Sequence, residues 1–248
     1  LKIVKEIQRF TYLKLLHFFL KENAHVNFLF SLTLLVVLAP YLEENYSGGV
    51  GVTLVSTYNV LATMYFIIHN RRNYWITAFS FLIIAVEWFI YLGQGDALSA
   101  DFMQNLRVFS SFGVGFIFFW ALVKLFITIF YASKVDVNVI ISSISGYLAM
   151  GLIGAFAFQI LDYIEPGSML LSAGDILDRH AMVYFSFVTM STLGYGDMVP
   201  IGPLARGLAV LLTLSGQMYM TMVVAMLIGK YISGDQSRSR EQDIDQGT

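Results

Sequence analysis

The sequence predicts an all-α membrane protein with six transmembrane helices and a short re-entrant helix that runs into a glycine-rich loop. Three observations carry this. First, 57% of the 248 residues are hydrophobic and 13% charged, against about 25% charged in an ordinary soluble domain; mean hydropathy is +0.68. Second, the apolar residues gather in six stretches, each near the ~20 residues that cross a bilayer as a helix. Third, between the last two stretches lie a short apolar run over residues 181–190 and the string Thr192-Leu193-Gly194-Tyr195-Gly196-Asp197. Such a length leaves room for the spans and little else, so no soluble catalytic domain is expected within it. Cysteine is absent, which excludes a disulfide framework and a thiolate metal site. His17, His25, His69 and His180 show no metal-ligand spacing. No nucleophile–base pair, phosphate loop or metal cluster supports an enzyme, and no nucleic-acid partner is expected.

Residues 1–22 read as an amphipathic helix. Ile3, Ile7, Phe10, Leu13 and Leu20 fall along one stripe at helical spacing, while Lys2, Lys5, Arg9 and Lys14 sit mostly off it. That pattern suits a helix lying in the headgroup region. A signal peptide would carry less charge and end in small residues. The first span is expected over about residues 26–41, with a start nearer Lys21 if it is to reach full length. A turn follows at 43–49, then a second span at 50–68. Residues 69–73 form a basic loop, and Trp75 after it suits an interfacial anchor. The third span runs to Leu92, residues 93–101 are a loop, and the fourth span covers about 106–131. The fifth runs over 137–161. A longer connection leads to the re-entrant segment and to the last span at 203–232. The tail, 233–248, is polar and expected to be disordered. The chain thus divides into an interfacial helix (1–22), a four-span unit (23–133), a two-span unit with the re-entrant loop (134–232) and the tail.

Charge sets the orientation. Lys2, Lys5, Arg9, Lys14, Lys21, Arg71, Arg72, Lys134, Lys230, Arg238 and Arg240 fall on one side of the six spans. The opposite loops hold Glu43, Glu44, Asp96, Asp101, Asp162, Glu165, Asp175, Asp178 and Asp197. The positive-inside rule therefore predicts a multi-pass protein of the cell membrane with both termini cytoplasmic and the glycine-rich loop outside.

That loop carries the chemistry. Glycines at alternate positions open φ values closed to other residues, which lets successive carbonyl oxygens turn to one side. Four such strands about one axis would stack rings of oxygens that replace a cation's hydration shell. Thr192 to Asp197 resembles the signature filter of tetrameric potassium channels, with Leu193 where Val is commoner. The resemblance covers about residues 137–232. Tyr184 to Ser191 is similar to the pore helix, with Tyr184 and Phe185 where many members carry two tryptophans. Pro200, Arg206 and Gly216 fall where the family has a turn proline, an outer-end arginine and an inner-helix glycine hinge. The short chain resembles small bacterial channels of this superfamily.

The resemblance implies a homotetramer, since one strand cannot enclose an ion. It implies potassium ions bound by the Thr192 hydroxyl and by filter carbonyls of Thr192, Leu193, Gly194 and Tyr195, with Gly196 closing the filter and no organic cofactor. Asp197 would sit at the mouth, bonded to the Tyr184 hydroxyl, and Tyr195 would brace the filter against Tyr184 or Phe185. Val188 stands where some members place a Glu. Gly216 would be the gating hinge, with packing against the pore helix as the other reason for a glycine there. Gln217, Met220, Val224 and Ile228 would face the cavity and lower pore, where Val224 and Ile228 could close an apolar gate by dewetting.

The first four spans resemble a voltage-sensor domain in layout alone. A sensor needs several basic residues at every third position of its fourth span, each charge being worth about 2.3 kcal/mol per 100 mV. The fourth span has only Arg107 and Lys124, roughly 25 Å apart by helical rise, and each is expected to snorkel to its own interface. Steep voltage gating is not expected. Glu87 is the one acid well inside a span, an expensive placement that defaults to function. A structural ion pair with Arg107 is the favoured reading, a proton or cation site the other. A weakly selective cation channel and a non-conducting membrane sensor or scaffold remain alternatives for the whole. Membrane lipid is an implied partner, and the gating stimulus and any cytosolic regulatory partner are not legible.

Overall fold

The computed structural model describes residues 24–45, 50–68, 74–93, 99–132, 134–171 and 179–246. The predicted interfacial helix over 1–22 lies outside them. Seven helices and two short strands occur among the described residues: α1 Ala24–Asn45, α2 Val50–Ile68, α3 Tyr74–Leu92, α4 Ala100–Tyr131, α5 Val137–Ile164, β1 Met169–Leu171, α6 Arg179–Met190, β2 Met198–Pro200 and α7 Pro203–Gln246. Among the same residues, α2, α3, α4, α5 and the Pro203–Ile232 part of α7 are long and apolar enough to cross a membrane. α1 has 22 residues, but its apolar part is the shorter run Ala24–Leu38. The chain is a multi-pass membrane protein.

Two helices outrun the sequence reading. α4 begins at Ala100 rather than near 106, with Asp101 in its first turn, where a carboxylate favours the positive end of the helix dipole. α7 continues through Gln246, so the tail expected to be disordered is helical. A helix that is already nucleated extends at little cost, and residues 235–246 contain neither Gly nor Pro.

α4 and α5 pack along one another, because only residues 132–136 join them and a link that short forces an antiparallel helical hairpin. Asp136 caps α5, its carboxylate accepting from the Val139 amide at 2.9 Å. α1 lies against both α2 and α5: the rings of Phe28 and Phe66 stack with centroids 4.9 Å apart, and Ser142 Oγ meets His25 Nδ1 at 2.9 Å. Phe28, Phe66, Ile83, Phe118 and Leu152 belong to one buried cluster spanning α1 to α5. This cluster runs across the sequence boundary near 133.

α5 is the platform on which α6 and α7 rest. It presents small residues, which let helices approach closely in a bilayer. A Cβ at Gly151 would lie 2.5 Å from the Phe187 ring, and one at Gly154 2.5 Å from Ser186 Oγ. Ser186 Oγ in turn donates to the Gly151 carbonyl at 2.5 Å. α6 thus seats directly on the α5 backbone. α7 is tied to the same helix by Tyr219, whose buried hydroxyl donates to the Ser143 carbonyl at 2.7 Å.

The two lysines inside this framework serve as helix caps. Lys124, expected to snorkel to its own interface, lies half-buried against the last turn of α2. Its ammonium donates to the carbonyls of Phe66 and, at 3.1 Å, Ile67 at the end of α2. Lys230 donates to Ile129 and Phe130 carbonyls at 2.6 and 2.9 Å, at the end of α4. Terminal carbonyls have no intrahelical partner and carry the negative end of the dipole, so cations collect there.

Candidate functional site

The glycine-rich loop hangs from the C-terminal end of α6. The Val188 carbonyl accepts from the amides of Leu193 (2.9 Å) and Gly194 (3.4 Å), that of Phe187 from Ser191 (2.9 Å), and that of Thr189 from Thr192 (3.0 Å). The last turn of the helix would otherwise leave these carbonyls unpaired. Here they hold the start of the loop at fixed register.

Beyond this anchor the backbone alternates. Thr192, Gly194 and Gly196 take φ values of 61°, 57° and 81°, while Leu193 and Tyr195 between them do not enter that region. Left-handed backbone is free for glycine but costs about 1–2 kcal/mol for a residue with a Cβ. Thr192 bears that cost, being the only non-glycine at positive φ among the described residues. Alternation of this kind turns consecutive carbonyls to one side of the strand. Thr192 Oγ1 donates to the Ser191 carbonyl at 2.6 Å. All residues from Thr192 to Asp197 are exposed on the single chain, so the loop's own subunit does not cover it.

The outer end of the loop is fixed by a hydrogen bond and a small sheet. The Tyr184 hydroxyl donates to Asp197 Oδ2 at 2.6 Å, and Asp197 Oδ1 accepts from the Met198 amide at 3.1 Å. That first hydrogen bond, with desolvation and the nearby carboxylate charge adding to it, pushes the Tyr184 phenol up to about 12. Met198–Pro200 then pairs antiparallel with Met169–Leu171. Nothing in the sequence signals this pairing, since three-residue strands have no readable period. Arg206 Nε donates to the Pro200 carbonyl at 3.3 Å, tying the turn proline to the start of α7.

Tyr184 and Phe185 do not share a role. Adjacent residues on a helix point about 100° apart. Tyr184 reaches the loop, whereas Phe185 is buried and packs edge-on against Phe158 of α5, with centroids 4.9 Å apart. Phe185 therefore belongs to the core cluster of α5, α6 and α7. Tyr195 is 67% exposed.

Gly216 lies against the last residue of α6. A Cβ there would sit 2.5 Å from Met190 Cγ and 2.8 Å from the Met190 carbonyl oxygen. Close approach alone thus gives a reason for glycine at this position. Thr213 Oγ1 donates to the Thr189 carbonyl (3.3 Å) close by. Gln217, Met220, Val224 and Ile228 are not buried by their own chain. They lie on the surface that faces away from the subunit's own core, whereas Leu212, Tyr219 and Val223 face into it.

Glu87 lies elsewhere, between α2, α3 and α4, and its partners differ from those expected. Ser56 and Ser110 donate to its two carboxylate oxygens at 2.8 and 3.3 Å. No Glu87–Arg107 ion pair joins α3 to α4 among the described residues, and Arg107 is exposed. A guanidinium gains more by staying hydrated at the end of its span, while neighbouring hydroxyls bond the carboxylate without burying a second charge.

Residues 146–233 match the family model described as an ion channel. The chain is 34% identical over 73 residues to "Voltage-gated potassium channel" of Aeropyrum pernix, covering 29% of this chain and 23% of that protein. It is 32% identical over 77 residues to "Inward rectifier potassium channel Kirbac3.1" of Paramagnetospirillum magnetotacticum, covering 30% of this chain and 25% of that protein. Each match thus spans about a quarter of the length of the relative. No solved structure matches the chain. The part matched by the family model contains most of α5, all of α6, the glycine-rich loop and α7 as far as Ser233, and the similarity is to ion channels, not to enzymes.

Proposed function

We propose that four copies of this chain form a potassium-selective channel of the cell membrane, with six spans per subunit and cytoplasmic termini. In this reading Thr192, Leu193, Gly194, Tyr195 and Gly196 line the filter, and dehydrated potassium ions pass through stacked rings of carbonyl oxygens. The observation that carries it is the alternation of left-handed φ at Thr192, Gly194 and Gly196 in a loop hung from the end of a short helix. Asp197 adds negative potential at the mouth and is held by Tyr184. Gln217, Met220, Val224 and Ile228 face the cavity, and Val224 with Ile228 forms an apolar gate. Gly216 serves packing against Met190 and, as a further part of the proposal, bending of the inner helix.

Conduction is passive and not steeply voltage-dependent. Arg107 is exposed and Lys124 is committed to the end of α2. Neither resembles a ladder of charges free to cross the field.

The test is ion flux from liposomes holding the purified protein, with potassium or sodium gradients and barium as blocker. Barium-sensitive flux with potassium far above sodium is expected. Equal flux of the two ions would favour a weakly selective cation channel instead, a reading that the unusual Leu193 keeps specific. Flux that persists unchanged when Gly194 and Gly196 are both replaced by Ala would refute the filter assignment.

A further inference from the structure

The later part of the α7 span rests on α4 along one face. Tyr219, Val223, Leu227 and Lys230 recur at helical spacing, and the first three share an apolar cluster with Leu122 and Phe126 of α4. The rings of Phe126 and Tyr219 meet with centroids 5.4 Å apart and planes 71° apart. Beyond this apolar stripe the Lys230 ammonium donates to the Ile129 carbonyl at 2.6 Å and to the Phe130 carbonyl at 2.9 Å. Lys124 joins two helices of the four-helix unit to each other, whereas Lys230 is carried by the last span and reaches out to that unit.

The place of this contact gives it a consequence. Lys230 follows Ile228 by one turn at most, and Val224 and Ile228 are exposed on the single chain. They point about 100° around the helix from Val223 and Leu227, away from the subunit's own core. Bringing four such pairs together on one axis carries the end of the span off its own α4. Bonds of this kind fade beyond about 3.2 Å, so a displacement of about 1 Å breaks both. Breaking them strands an ammonium and two carbonyls at a helix end that have no intrahelical partner. Hydrogen bonds to an ionised donor are about twice as strong as neutral ones, so the contact weighs on where α7 stands.

We infer that Lys230 is a positioning residue for the gate: it latches the end of the inner helix to α4, holds Val224 and Ile228 off the pore axis and thereby favours the conducting state. The inference rests on the channel reading above and deepens it. The four-helix unit, without a ladder of charges to drive the pore, acts on it as a brace through this latch.

The test compares native protein with K230M, which keeps the length of the side chain and loses its donors, and with K230R, which keeps them. Removing the ammonium should shift the latched-to-released ratio of each subunit by about tenfold, read as several-fold lower barium-sensitive potassium flux from liposomes; K230R should retain most of the flux. The sequence has no cysteine, so an F130C/K230C pair can be bridged by a short bis-maleimide without side reactions at other thiols. Flux of the pair should be low before bridging and rise towards the native level after it, while K230C alone treated with the same reagent stays low. This pair also replaces K230M should that variant fail to assemble. A readout free of conduction comes from spin labels on Y131C and I232C, both at exposed positions, in labelled chains diluted with unlabelled ones. Their separation should lengthen in K230M and not in K230R. Native potassium selectivity with K230M flux unchanged or raised would overturn the latch and leave the channel reading standing. Absence of potassium-selective flux from the native protein would instead remove the channel reading, and with it the inference about the gate. An unchanged label separation in K230M would overturn the latch whatever the flux.

Discussion

Replacing Gly216 by Ala separates two reasons for a glycine in the middle of α7. Helix propensity alone favours the change by about 1 kcal/mol. Against this, the new Cβ would lie 2.5 Å from Met190 Cγ and 2.8 Å from the Met190 carbonyl oxygen. The side chain of Met190 can turn aside, but the backbone oxygen cannot move without shifting Ser191 and Thr192, the entry to the filter. Overpacking of this kind costs about 1–3 kcal/mol. With a middle value of about 2 kcal/mol the net loss is about 1 kcal/mol per subunit, or a Tm lower by roughly 3 °C for a chain of this size. Gly207 supplies the control, since a Cβ there meets nothing within 4 Å in its own subunit; Gly207→Ala is expected to raise Tm by a similar amount. The measurement is a melting curve of each purified variant, paired with liposome flux of potassium against sodium. Gly216→Ala should also erode selectivity, because the strain falls on the filter entry. A Gly216→Ala protein as stable as Gly207→Ala, equally selective and altered only in the fraction of time it conducts, would refute the packing argument and leave bending as the glycine's purpose.

The remaining predictions concern other contacts. Tyr184→Phe and Asp197→Ala remove opposite ends of one hydrogen bond. Each should shorten the time the channel stays conducting, and the double variant should be no worse than either single one in a mutant cycle. Tyr219→Phe loses a buried bond to the Ser143 carbonyl, costing about 1 kcal/mol and lowering Tm by about 3 °C; an unchanged Tm would show that the hydroxyl contributes nothing. Exchanging Val224 and Ile228 for Ser should raise barium-sensitive leak through the closed channel, and no change would remove them from the gate. Current in planar bilayers should vary with voltage by less than about one gating charge per subunit; a steeper dependence would refute the voltage-insensitive reading.

Much of the site is readable before any folding is considered. The membrane class follows from composition because a bilayer accepts only long apolar segments with internally paired backbone. The glycine-rich loop is legible because its alternation of glycine is a property of the backbone itself, and the three residues with positive φ are spaced two apart just as the string is written. Helix α6 and most span limits come from local apolar pattern, which neighbours do not alter.

Side-chain direction and partnership depended on tertiary structure. Phe185 and Tyr184 look equivalent in the sequence, but α5 takes one into the core and leaves the other for Asp197. Glu87 and Arg107 are a plausible pair by helical rise, yet hydroxyls from α2 and α4 reach the carboxylate while the arginine is exposed. Lys124 and Lys230 read as charges without named partners, and packing gives them the terminal carbonyls of α2 and α4. α7 runs on through a tail whose polarity suggests disorder, because the helix before it is already nucleated. The physical reason is common to these cases. Backbone geometry and membrane partition are decided residue by residue, whereas a polar group's partner is whichever donor or acceptor the packing of distant helices brings within about 3 Å.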